Sequence, residues 1–531
     1  MKKSLIKIIV PVLFLGGLSS CQDKLEELYS DPEKTENASI EKFFTQMLNN
    51  ERVYPQYWDI RTFVVNHTAR YSQFLSYNNE NKRYQQQIDY TQSRWNSYYT
   101  QSSGSGMVSH YREVEKAYNA LSAENKKVSE VYLQASKIAL MDQTLQMVDL
   151  WGDMPFSEAG SLNATGNIVL PKFDKAKDVY AAALTGLKEA SDFFANNTLN
   201  AGILAGFKKQ DILLAGDTDK WRRYANSLRL RALMRLSFVD EAGSKAAVLE
   251  MLNNPTAYPL VDESKYNVLL NPMTDYNDNL RNALNDFNSM YATPYLLNTV
   301  LKPAKDPRIE AIYDKYGAEN AAKKFVQNAD FNAMPLDIPS NEQTTNITAG
   351  KYAVLDSTTF LFNTKLPGVV FTAAETNFLK AEALERWGSS ADAATAYNKG
   401  VKQSVEFYYF LNNTNTTRAE GKLTVPSAAV LDALVASASV AYTGTATQKL
   451  EKIWVQKWVN FGFLQSIQSW AEVRRTKYPQ LTFVRDSNTP DAPLPPSRLL
   501  YPGSEKAYNA ANYSAVAASD LATAKIFWDV K

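Results

Sequence analysis

Histidine and cysteine are almost missing from this chain: 531 residues hold two histidines, His67 and His110, and one cysteine, Cys21. That scarcity excludes several kinds of chemistry. Two histidines are too few for a histidine-rich metal site, and they lack the His-Glu-x-x-His spacing that sets two imidazoles on one helical face. A Ser-His-Asp hydrolase would have to use one of them, yet no Gly-x-Ser-x-Gly elbow is present, nor any phosphate-cradling glycine loop. Paired carboxylates could be picked at will from 56 acidic residues, so their presence does not argue for glycoside hydrolysis. Net charge is lacking too, at +1 from 57 basic and 56 acidic residues, which gives no footprint for a nucleic-acid partner. Past residue 18 no apolar run approaches the roughly 20 residues a membrane-spanning helix needs.

What is present begins with the placement of Cys21. Lys2 and Lys3 give a positive start, Leu5 to Leu18 is almost wholly apolar apart from Lys7, and Gly16, Gly17, Ser19 and Ser20 supply small residues just before the cysteine. This is the layout of a secretory signal peptide. An unpaired thiol in an exported protein is open to oxidation or stray pairing. Acylation removes that liability, and Leu18-Ser19-Ser20-Cys21 resembles a bacterial lipobox. Residues 1–20 are therefore expected to be a lipoprotein leader, Cys21 the lipidated first residue, and the polar, aperiodic 21–37 a flexible tether; the alternative is an ordinary cleaved leader with a chance cysteine beside it. Loss of Lys2, Lys3 and Lys7 with the leader leaves 54 of the 57 basic residues against 56 acidic ones.

Residues 38–531 read as one domain, dominated by helix. In 110–124, Tyr111, Val114, Ala117, Tyr118 and Leu121 share a face, and 128–151 continues as a second helix closed by Gly152. Further pairs are predicted at 174–195 with 218–238, 371–388 with 391–409, and 427–437 with 446–475. Four such hairpins with small residues at close-packing positions predict a degenerate tetratricopeptide-type scaffold with minor β structure. Trp454, Trp458 and Phe461 fall on one face with Leu450 and Leu464, the spacing of a core stripe, while Arg474 and Arg475 are placed to fork onto carboxylates such as Glu472 or Glu382.

Two stretches lack this regularity, 54–104 and an insert at about 255–370 rich in Asn, Pro, Asp, Thr and Tyr. Aromatics are abundant overall, 30 Tyr, 24 Phe and 9 Trp, and in these stretches they alternate with amides and charges, a mixture suited to sugar rings or an extended peptide. Tyr71, Tyr77, Tyr84, Trp95, Tyr276 and Tyr291 are the stacking candidates, and Asn78, Asn79, Asp275 and Asn288 the hydrogen-bonding ones. The two stretches are expected to meet on one surface above the hairpins, with two or three of these aromatics exposed. Each taken singly fits equally well as packing between loop and scaffold. Asp275, Asn277 and Asn279 have calcium-loop spacing, but Leu280 stands where the tight turn needs glycine, so no metal or other cofactor is expected.

Six segments in order, "LWGDMPFSEA", "DTDKWRRYANSLRLRALMRL", "DPRI", "VVFTAAETNFLKAEALERWG", "IWVQKWVNFGFLQSIQSWAEVRRTKYP" and "PPSRLLYPGSEKAYNAANY", resemble the recurring segments of the SusD/RagB family of nutrient-binding outer-membrane lipoproteins. The resemblance spans nearly the whole mature chain. It implies a SusD-like fold, no enzymatic activity, and a lipid-anchored protein at the outer membrane, facing the cell exterior. There it would bind a nutrient oligomer, a glycan in preference to a peptide, and pass it to a SusC-like TonB-dependent transporter during polysaccharide utilisation. Competing readings of a different class are a polymer-degrading surface enzyme and a purely structural helical-repeat scaffold.

Overall fold

Helix starts are set locally. Ser122, Asp217, Thr372, Ser389 and Thr445 each accept a hydrogen bond from the backbone amide three residues on, which satisfies one of the first-turn donors a helix leaves open. In the computed structural model, which describes residues 39–50, 52, 56–78, 84–100, 106–272, 279–485 and 494–531, these caps open the long helices of the scaffold. Helix Met107–Asn119 packs on Ala123–Trp151, Ala176–Asn196 on Thr218–Leu236, and Ala373–Trp387 on Ser390–Thr414. In the third pair Gly400 lets the helices approach closely, because a Cβ there would meet the Phe378 ring at 3.0 Å and the Ala374 carbonyl oxygen at 3.3 Å. Ala446–Phe461 lies chiefly against Ala373–Trp387, and Ala428–Ala436 against Ser390–Thr414, so the two extend the third hairpin instead of pairing chiefly with each other as predicted.

Two predicted helices are each divided. The 110–124 stretch ends at Asn119, and Ser122 caps a new helix that already includes residues 123 and 124. The 446–475 stretch breaks after Phe461, where Gly462 has a positive φ of 56°, and resumes as Ser466–Thr476. Its stripe is nonetheless core: Trp454, Trp458 and Phe461 are buried.

The 54–104 stretch is more helical than its pattern suggests. Tyr57–Asp59, Ile60–Thr68 and Ala69–Tyr71 run on as one helical segment whose middle has the wide π register, with Ala69 N donating to Val64 O five residues back, and Ile88–Tyr99 forms a second helix. A π register displaces side chains from the 3.6-residue period, and neighbours cover this segment on most sides, so no single apolar stripe marks it. The 255–370 insert holds short antiparallel pairs: Val268–Leu270 with Gly368–Phe371, Tyr313–Asp314 with Val354–Leu355, and Gly317–Glu319 with Phe325–Gln327.

Two apolar cores share Ala373–Trp387 as their wall: Leu379 and Ala383 face one core, Phe378 and Ala381 the other. Buried ion pairs join them. Arg231 forks onto Glu375 at 2.6 and 2.7 Å, Arg235 reaches Glu472 at 2.7 Å, and Arg475 forks onto Glu382 at 2.7 Å on both arms while also contacting Glu472. Arg475 thus takes the partners its position predicts. Arg474 instead donates to the backbone oxygens of Asp149 and Ser497 and lies over the Trp470 ring.

Candidate functional site

The structure corrects most of the predicted stacking residues. Tyr71 is fully buried against Trp470 and His67; Tyr77 and Tyr84 pack edge to face on each other, and Tyr84 on Phe483. Trp95 is 1% exposed, wedged between Trp151 and Tyr501 with its indole N–H on Glu505. Tyr291 is buried against Tyr352 and bridges to Val354. These five rings are packing, and the expectation that two or three would stand free does not hold for them: the covering groups, Phe483, Tyr501 and Glu505, arrive from the far end of the chain. Asn78 is half-buried, and Asn288 sits in the left-handed region, φ 47°, in the turn after helix Asn279–Asn285. Asn79, Asp275 and Tyr276, like Cys21, lie outside the described residues.

The two irregular stretches do meet, through other side chains. Tyr291 N donates to Ser76 Oγ at 3.1 Å. At the other end of the 57–71 helical segment, Arg61 Nε donates to Asp286 Oδ2 at 2.7 Å, and the Tyr57 hydroxyl donates to the same oxygen. Trp58 stands beside this junction, 65% exposed, edge to face with Tyr57 at 5.0 Å. The Arg61 guanidinium is held 5.7 Å from the Trp58 ring, 5.2 Å from Phe287 and 5.9 Å from Tyr90, whose hydroxyl accepts from it at 3.1 Å. Hydrogen bonds from Tyr57 and then Arg61 hold the Asp286 carboxyl below its usual range, and the same contact with Asp286 raises the Tyr57 hydroxyl.

The result is a large exposed indole face beside a Tyr57-Arg61-Asp286 network, with donors and acceptors at its edge. Such a surface stacks on the C–H face of a pyranose ring and hydrogen-bonds its hydroxyls. Helical spacing offered one signal for it: Trp58 and Arg61 are three residues apart, while Ile60, Phe63 and His67 turn inward. On that inner side lies a cavity of about 60 Å³ bordered by Ile60, Phe63, Arg94, Asp142 and Gln465, room for water but not for a sugar.

The histidines are structural. Burial, followed by the nearby Arg70, pushes His67 down to about 3, and its neutral Nε2 accepts from Gln87 N. His110 Nδ1 contacts Gly106 O. Among the described residues no group of three His, Cys, Asp or Glu side chains could hold a metal ion, and no helix is long and apolar enough to cross a membrane.

Comparison with known proteins adds the lineage. The SusD-like family model, described as starch-binding and associating with the outer membrane, matches residues 32–502. A solved chitin-binding protein aligns at TM-score 0.72 and 23% identity, over 92% of this chain and 99% of its own. A SusD homolog from Parabacteroides distasonis aligns at TM-score 0.72 and 19% identity, over 93% and 98%. A chitin-binding SusD homolog from Flavobacterium johnsoniae gives 0.68 and 18%, over 93% and 99%. No curated protein sequence matches the chain.

Proposed function

The chain belongs to the SusD-like family, and from that premise we propose that it is a glycan-binding lipoprotein of the outer membrane, taking up oligosaccharide on the Trp58 platform. The exposure of Trp58 carries this reading: the indole stands in water beside Tyr57, Tyr90 and Phe287 around the Arg61 guanidinium, a contiguous aromatic surface with a polar rim of the kind that marks a ligand site. Two solved relatives of the same fold are described as chitin-binding, which supports a glycan over a peptide. Acylated Cys21 would anchor the protein, and a SusC-like TonB-dependent transporter would receive the ligand.

Capture without hydrolysis fits the chemistry of the platform. Asp286 is the carboxylate among its described residues, and it is held ionised by Tyr57 and Arg61. Most glycoside hydrolases use two carboxyl groups across the bond, one of them protonated as the general acid. The test is titration of soluble chitin and starch oligosaccharides into wild-type protein and Trp58→Ala by calorimetry. At least about tenfold weaker binding, with an unchanged melting temperature, is expected. Equal affinity in the two proteins would remove Trp58 from the site, and conversion of oligosaccharide by the wild type would replace capture with catalysis.

A further inference from the structure

A second concave surface lies at the opposite end of the 57–71 helical segment. Trp58 stands at the start of that segment, whereas Trp458 donates its indole N–H to Ser72 O just past its end, and the Tyr295 ring packs edge-on against Trp458 at 5.8 Å. Tyr295 forms one wall of a cleft of about 490 Å³, within the range of small-ligand pockets. Tyr478 lines it too, its ring 5.6 Å from that of Trp454, and Val300, Val440 and Val455 add apolar lining.

The polar groups of this cleft are oriented but not used up. Glu451 accepts the Tyr478 hydroxyl on Oε1, which leaves Oε2 outside that bond, and it lines the cleft together with the hydroxyl-bearing Thr299, Ser439 and Thr443. Lys452 is fixed by the carbonyls of Ala441 at 2.6 Å and Thr443 at 3.2 Å, and burial lowers its ammonium below the ordinary lysine range. The two opposite charges line the same cleft without pairing to each other, so its net charge is near zero. Two flat tyrosine faces, a carboxylate with one oxygen outside the tyrosine bond, an ammonium donor, hydroxyls and apolar lining form a surface for a flat, uncharged ligand that carries many hydroxyls.

We propose that the cleft between Tyr295 and Tyr478 is a second carbohydrate subsite, taking a neutral pyranose unit with Glu451 as acceptor for its hydroxyls. It shares with the proposed function the premise of a glycan ligand but uses none of the Trp58 platform's residues. Binding two separated units of one chain, or of two, would raise avidity through effective concentration.

The test uses the full chain with N-acetylglucosamine and with methyl glucoside as probes, read by saturation-transfer NMR. Trp58→Ala is expected to keep a saturable signal from at least one sugar. Adding Glu451→Gln should weaken that remainder at least fivefold. Ser439→Trp, at the exposed rim, should block the cleft equally while leaving the melting temperature unchanged, which keeps the test decisive if Glu451→Gln folds poorly. No saturable signal in Trp58→Ala, or a signal that survives Ser439→Trp in that background, overturns the second subsite. A wild-type signal unaltered by Trp58→Ala but abolished by Ser439→Trp would instead remove the platform and leave the cleft as the site.

Discussion

Replacing Glu382 by glutamine should be among the most damaging single changes that add or remove no volume. Glu382 is fully buried and receives both arms of Arg475 at 2.7 Å, with Lys457 at 3.3 Å and Arg386 at 3.7 Å. Burial alone would raise its carboxyl; Arg475 and Lys457 overcome that and bring it down from 4.5 to about 2. Converted at 1.36 kcal/mol per pH unit, this depression is worth about 3 kcal/mol. Breaking a buried pair while leaving the partner charged typically costs about 3 to 5 kcal/mol, which is the cost expected for Glu382→Gln. In Glu382→Gln, Arg475, Lys457 and Arg235 would face Glu472 with one negative charge fewer, which is the physical source of the loss. Lys457→Met in the same chain should restore part of it, since one surplus cation then disappears; a coupling of about 1 to 3 kcal/mol is expected from the double-mutant cycle. Urea unfolding followed by helical circular dichroism is the assay, urea being uncharged. The depressed carboxyl contributes fully above pH about 4.5 and its contribution fades as pH falls toward 2, so the gap between wild type and Glu382→Gln should narrow over that window. A cost below about 1 kcal/mol at pH 7, or strict additivity with Lys457→Met, would refute a dry, coupled lattice.

Trp458→Ala should cost about 3 to 5 kcal/mol in the same unfolding assay, since it removes a buried indole from Phe74 and Tyr295 and takes the donor from Ser72 O; a cost under about 1.5 kcal/mol would contradict its place in the core. Asp356 is pushed up to about 7, by burial first and then by Asp314, so the folded state should lose stability as pH rises from about 4 to about 7. Asp356→Asn keeps an acceptor for Thr359 N and Asn412 while removing the charge, and should match wild type at pH 4 but melt higher at pH 8; an unchanged pH slope would refute the assignment. Cys21→Ala should yield a folded helical protein in the soluble fraction of cells lacking the transporter partner, and recovery with membranes would count against lipidation at Cys21.

Period and punctuation carried the scaffold. The helices at 176–196, 218–236, 373–387 and 390–414 are readable because one apolar face repeats every three or four residues, and Asp217, Thr372 and Ser389 cap three of their starts while Gly388 closes one end, all within a few residues of sequence. The partners of Arg475 were readable for the same reason, being helical neighbours or an acid on the adjoining predicted helix. The order of the six family segments gave the lineage without any coordinates.

Exposure of particular aromatics was decided elsewhere. Trp95 and Tyr84 look as polar in their surroundings as Trp58 does, yet Trp95 is capped by Glu505, 410 positions away, and Tyr84 is covered by Phe483, whereas among the described residues nothing comparable covers Trp58. Local pattern records how a side chain is oriented on its own helix, not what the rest of the chain lays over it. The meeting of residues 57–61 with Asp286 and Phe287, and of Tyr295 with Tyr478, depends on contacts across about 180 to 230 positions, so sequence alone determined the helical scaffold and its family while only tertiary packing chose which rings face water.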